Sequence, residues 1–110
     1  MYGFGVELRR HHRVPFTEPV VFSRKGSEER NHGQSTDISL GGMYIETKTP
    51  EAFGMDVVVH LHIPGEASAF ALPGKVRWTA PDGMGIQFGL LGARETHTIT
   101  ELVAAHENED

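Results

Sequence analysis

The strongest constraint on this chain is its alternation of apolar and polar residues in short runs from Glu18 to Phe88, each run closed by glycine, proline or small polar residues. A period of two places successive side chains on opposite faces, so these runs read as antiparallel strands with one buried face. The clearest unit is a hairpin. Ala69 to Thr79 brings Val76 and Trp78 inward, Pro81-Asp82-Gly83 reverses the chain, and Met84, Ile86 and Phe88 return.

Five or six strands follow from the same reading. Pro19 to Ser23 is one, closed by the charged stretch Arg24 to Arg30. A polar and largely exposed strand runs from about Gly33 to Ser39, before Gly41 and Gly42 break it. Met43 to Thr47 puts Met43 and Ile45 in the core. Met55 to Ile63 puts Val57, Val59, Leu61 and Ile63 on one face and Val58, His60 and His62 on the other. After Gly92 the period changes. Ile99, Leu102, Val103 and His106 fall at helical spacing, which predicts one amphipathic helix over about 93–106. Its threonines at 96, 98 and 100 lower intrinsic propensity, so it depends on packing against the sheet.

With 110 residues the chain fits one domain with one core. It has no cysteine, which removes disulfides, thiolate nucleophiles and sulfur-ligated zinc, and a reducing cytoplasm is the expected setting. No apolar run approaches the roughly 20 residues that span a bilayer, so no membrane insertion is expected. A formal charge of −5 argues against a surface that wraps long nucleic acids, and no DNA or RNA partner is expected. Adjacent His11 and His12, and His60 and His62 on one strand face, lack a matching carboxylate and read as surface residues, not as a metal site. No serine, histidine and acid arrangement stands out, and no enzyme activity is expected.

The charge distribution is more informative than its sum. Arg9, Arg10 and Arg13 cluster near the start, whereas Glu101, Glu107, Glu109 and Asp110 crowd the end. Arginine donates in a planar fork and also stacks on aromatic planes, so one side chain can pair with a phosphate or guanine edge while its face covers a purine. The second element is Asp37-Ile38-Ser39-Leu40-Gly41-Gly42. Here Asp37 and Ser39 share a strand face, Ile38 and Leu40 go inward, and the glycines allow a sharp turn. A carboxylate repels phosphate, so Asp37 beside arginines makes sense as an acceptor for the N1-H and N2-amine of guanine. The bland alternatives are a solvated basic segment and ordinary turn chemistry by Asp37 and Ser39.

Together these residues resemble the PilZ family, whose pattern is Arg-x-x-x-Arg followed by Asp or Asn-x-Ser-x-x-Gly. Arg9, Arg13, Asp37, Ser39 and Gly42 fill every position. The likeness extends to Gly42-Met43-Tyr44-Ile45-Glu46, Gly74-Lys75-Val76-Arg77-Trp78 and Gly83-Met84-Gly85-Ile86-Gln87-Phe88, over about residues 7 to 106. It implies a mainly all-β fold, a six-stranded antiparallel β-barrel with one C-terminal α-helix. It also implies binding of cyclic di-GMP through Arg9, Arg10, Arg13, Asp37, Ser39, Gly41 and Gly42, with no chemistry on the ligand and no cofactor. In such proteins the arginine segment is mobile when free and wraps the ligand when bound, which changes contacts with an effector protein. Leu8 before the first motif arginine adds no further guanidinium, which favours one ligand molecule per chain. The expected organisation is a flexible N-terminus over 1–7, the domain over 8–106 and an acidic tail over 107–110. The competing functions are a PilZ-like interaction domain that does not bind the nucleotide and a barrel for single-stranded nucleic acid.

Overall fold

A computed structural model describes residues 13–67 and 69–107. Among these residues seven strands and one helix follow in order: β1 Val14–Pro15, β2 Pro19–Arg24, β3 Asn31–Ile38, β4 Gly42–Glu46, β5 Asp56–Leu61, β6 Phe70–Ala80, β7 Gly83–Phe88 and α1 Ala93–Glu107. All pairings are antiparallel. The strands run β3-β2-β5-β6-β7-β4, and β4 pairs back onto β3 to close a six-stranded barrel, while the short β1 adds to the end of β3. Closure removes the free edges that an open sheet of this size would expose.

The alternation in the sequence becomes the inside and outside of this barrel. Phe22, Val59, Leu72, Val76, Ile86, Ile45 and Met43 point inward and are almost completely buried, joined by Phe70 and Met84. Truncating either buried phenylalanine to alanine is expected to cost about 3 to 5 kcal/mol. The helix lays Ile99 against this cluster with Leu102 and Val103 half-buried beside it, which is the packing its threonine-rich sequence requires. At its first turn the Arg94 guanidinium lies 4.3 Å from the centre of the Phe70 ring. No helix among the described residues is long and apolar enough to cross a membrane.

Two irregularities change where side chains point. The pairing of β6 with β7 shifts between Val76 and Trp78, so that Val76 faces Ile86 but Trp78 faces Gly85. Arg77 is the extra residue of a bulge, and one extra residue inverts the parity of everything beyond it. Trp78 therefore lies half-buried on the outer face, not in the core where strict alternation from Val76 puts it. A second shift in the β3–β4 ladder lies between Ser35 and Asp37, with Thr36 as the extra residue. It turns Asp37 outward while Ser35 and Ile38 stay fully buried.

The strand containing Asp37 ends at Ile38, so Ser39 is not its neighbour on a strand face. Ser39 is fully buried in the turn that follows. Gly41 and Gly42 do lie in a sharp turn, but without a left-handed backbone, which among the described residues occurs only at Gly26, Gly54 and Gly65. Gly42 is needed for space, because a Cβ there would sit 2.0 Å from the carbonyl oxygen of Ile86.

Candidate functional site

Arg13 reaches the site through two residues of strand. In β1, Val14 pairs with Ile38 and Pro15 with Asp37. Burial of Val14 turns its neighbours Arg13 and Pro15 to the outer face, where Arg13 lies diagonally across from Asp37, within reach of a long side chain. Its Nη1 comes to 3.5 Å from Asp37 Oδ1, with the two side chains 25% and 34% exposed. Both atoms are buried and neither makes a hydrogen bond.

The approach of this segment is fixed from inside the barrel. Ser35 Oγ donates to the Phe16 carbonyl and accepts from the Glu18 amide at 3.0 Å. The Phe16 amide donates to the Thr36 carbonyl at 3.1 Å. A buried serine thus holds residues 16–18 against β3 and sets where the chain leaves toward Arg13. Ser35 falls outside the family motif, and in the sequence only its place in a polar strand marks it.

Ser39 contributes shape. Its Oγ accepts from the amides of Gly41 at 3.1 Å and Gly42 at 3.2 Å, and its own amide donates to the Gly42 carbonyl at 2.8 Å. The Gly41 carbonyl in turn accepts from the Phe88 amide at 2.9 Å, which ties the turn to β7. The structure thus brings Arg13 and Asp37 together and places Ser39, Gly41 and Gly42 in the turn after β3, with the Ser39 side chain engaged within that turn. The expected ligand residues Arg9 and Arg10 lie outside the described residues, as do the expected flexible N-terminus and residues 108–110 of the acidic tail.

Two aromatic residues extend the outer face beyond the motifs. Across the sheet, Asp37 pairs with Tyr44, Tyr44 with Gly85, and Gly85 with Trp78. At roughly 4.8 Å per strand this row spans about 14 Å. Trp78 lies over Gly85: a Cβ there would be 2.2 Å from its indole ring. Tyr44 leans the other way along β7, and a Cβ on Gly83 would be 2.7 Å from its hydroxyl oxygen. The Tyr44 hydroxyl donates to Asp82 Oδ1 at 3.3 Å. Burial, and then the Asp82 and Glu46 carboxylates, push this phenol above its ordinary range, so it remains a donor at neutral pH. Alternation between the core residues Met43 and Ile45 already turns Tyr44 outward. Trp78 is hidden from sequence reasoning by the bulge at Arg77.

Among the described residues no group of three or more histidine or acidic side chains is close enough to hold a metal ion. His60 sits half-buried on the outer face of β5. Burial, and secondarily Arg30, push its pKa below the ordinary imidazole value.

No curated protein sequence matches the chain. Solved structures do, and the following share low identity with it. The PilZ domain of CeSA from a cellulose-synthesising bacterium superposes with a TM-score of 0.71 at 20% identity, over 87% of this chain and 98% of that one. The PilZ domain of Escherichia coli YcgR, solved with c-di-GMP, gives 0.71 at 14% identity over 92% of each chain. MrkH of K. pneumoniae, described as a c-di-GMP-dependent transcription regulatory factor, gives 0.68 at 18% identity over 93% of this chain but 52% of its own. The chain therefore spans nearly all of the isolated domains and about half of that longer relative. These likenesses establish a common barrel. The sequence profile of the PilZ domain matches residues 7–105, nearly the whole chain, and the chain belongs to the PilZ family.

Proposed function

We propose that this domain is a receptor for cyclic di-GMP, which it binds on the outer face of the barrel beside Asp37, and that it performs no chemistry on the ligand. The observation that carries this reading is the Arg13–Asp37 pair: a guanidinium and a carboxylate face each other without a hydrogen bond, at the start of a row that continues through Tyr44 to Trp78. A ligand with phosphates and guanine edges offers each group a better partner than the other does. Phosphate oxygens accept from arginine in bidentate fashion, and the N1-H and N2-amine of guanine donate to a carboxylate. Support also comes from the YcgR PilZ domain, solved with the same nucleotide.

In this reading Arg9, Arg10 and Arg13 close over the ligand while the Ser39, Gly41 and Gly42 turn supports Asp37 from below. Ordering of the arginine segment then changes the surface offered to an effector protein. One ligand molecule per chain follows from Leu8 at the position before Arg9. MrkH is described as a transcription regulatory factor, so nucleic acid belongs beside protein in any search for the effector.

One observation favours the alternative, an interaction domain without nucleotide binding: the Ser39 hydroxyl is fully buried and engaged with its own turn. Calorimetric titration separates the two. Binding is expected with a dissociation constant of about 0.1 to 10 µM, roughly −9.5 to −7 kcal/mol. Ligand at 100 times that constant adds about 2.7 kcal/mol of stability and raises the melting temperature by on the order of 10 °C. No heat and no melting shift at millimolar ligand would assign the domain to the alternative.

A further inference from the structure

We infer that Tyr44 is a ligand contact in its own right, its ring acting as a second stacking surface for a purine base next to Asp37; this rests on the cyclic di-GMP reading above. The register fixes its place. Asp37 and Trp78 are the two ends of the outer row, and Tyr44 and Gly85 are the residues between them. A ligand that touches Arg13 and Asp37 and extends toward Trp78 must first cross β4, where the outward residue of the row is Tyr44.

The ring is also prepared for that use. It lies across Gly83, which has no side chain to lift it from the sheet. Asp82 holds its hydroxyl at the far end. One side of the ring is spent on the backbone and the residue as a whole is only half-buried, which leaves aromatic surface open on the outer face of the strand next to Asp37. Because the hydroxyl donates to Asp82, the contribution to the ligand comes from the π surface, which stacks on any base. Guanine selectivity remains with Asp37.

A purely structural Tyr44 would only cover Gly83, and two substitutions separate the roles. Tyr44→Phe keeps the ring and loses the bond to Asp82; its affinity for cyclic di-GMP is expected within about twofold of wild type. Tyr44→Leu keeps an apolar cover over Gly83 and loses the π face; its affinity is expected to fall about five- to a hundredfold, with free-protein melting close to wild type. A second measurement needs no variant: in the wild-type complex, NMR cross-relaxation should connect Tyr44 ring protons to base protons of the ligand. A folded Tyr44→Leu protein that binds as wild type does, or a complex without that cross-relaxation, overturns the inference and leaves the receptor reading standing. A wild-type protein that does not bind the nucleotide overturns both.

Discussion

Arg13 Nη1 and Asp37 Oδ1 stand 3.5 Å apart on the outer face of the barrel, and neither atom makes a hydrogen bond. A charge-assisted hydrogen bond is about 2.7 to 2.9 Å long, so the pair attracts without being locked. With both side chains a quarter to a third exposed, solvent screening limits its worth to at most about 1 kcal/mol. Arg13→Ala should therefore change the melting of the free protein little, while weakening cyclic di-GMP binding by about 1.5 to 3 kcal/mol through lost charge-assisted bonds. Melting curves and calorimetry on the same variant test both halves. A loss of free-protein stability above roughly 2 kcal/mol would make Arg13 a structural residue.

Asp37 should govern selectivity more than affinity. Its carboxylate can accept two bonds from guanine, whereas the corresponding edge of adenine offers no such donor pair. An acceptor left without donors costs about 1 to 3 kcal/mol, so the wild type should prefer cyclic di-GMP over cyclic di-AMP by about five- to 150-fold. Titrating wild type and Asp37→Ala with both dinucleotides at one salt concentration measures the ratio. If the ratio does not change, Asp37 does not read the base.

Ser35 ties residues 16–18 to β3 from a fully buried position. Ser35→Ala leaves the Glu18 amide without this acceptor and should cost about 1 to 3 kcal/mol of stability. Because the same bonds fix the path toward Arg13, ligand affinity should fall as well, even at temperatures where the variant is fully folded. A stable variant with normal affinity would show that the backbone pairing of β1 suffices.

Gly85→Ala drives a methyl group into the Trp78 indole. Overpacking of this kind costs about 1 to 3 kcal/mol. Trp78 is the sole tryptophan, so intrinsic fluorescence reports its displacement directly, and the ligand-induced quenching expected of wild type should shrink. Gly42→Ala should be worse, because the clash there is with the Ile86 carbonyl of the barrel wall, which cannot turn aside. An emission spectrum and quenching equal to wild type in Gly85→Ala would remove Trp78 from the ligand face.

His60 gives a pH dependence with a defined sign. Its folded pKa lies below the unfolded value of about 6.5, chiefly through burial and also through Arg30. Above pH 6.5 it is neutral in both states and the fold keeps its full stability. As the pH falls below that value the unfolded chain takes the proton first, so stability declines until the folded pKa is passed. Melting temperature between pH 7 and 5 should fall more steeply in wild type than in His60→Gln. Parallel curves would show that the site does not resist protonation.

The sequence alone determined the elements and most of the core. Val57, Val59 and Leu61, Met43 and Ile45, and Met84 and Ile86 occupy the buried faces that period-two alternation assigns them, and the stripe through Ile99 and Leu102 is a helix of the expected extent. These features are local, since a strand's two faces and a helix's apolar stripe are written in consecutive residues. Pairing with the wrong partner would not change them. The motif residues were legible for the same reason, as residue types at fixed spacing.

Only the tertiary structure decided which outward residues share a surface. The row from Asp37 through Tyr44 and Gly85 to Trp78 crosses four strands, and its register depends on where β3, β4, β7 and β6 meet. Trp78 reached that surface because a bulge at Arg77 reversed its parity, and Ser39 left it because β3 ended one residue earlier. Gly42 shows the same division. The sequence marks it as a turn glycine, but the reason no other residue fits is the carbonyl of Ile86, 44 positions away along the chain and in contact only once the barrel has closed.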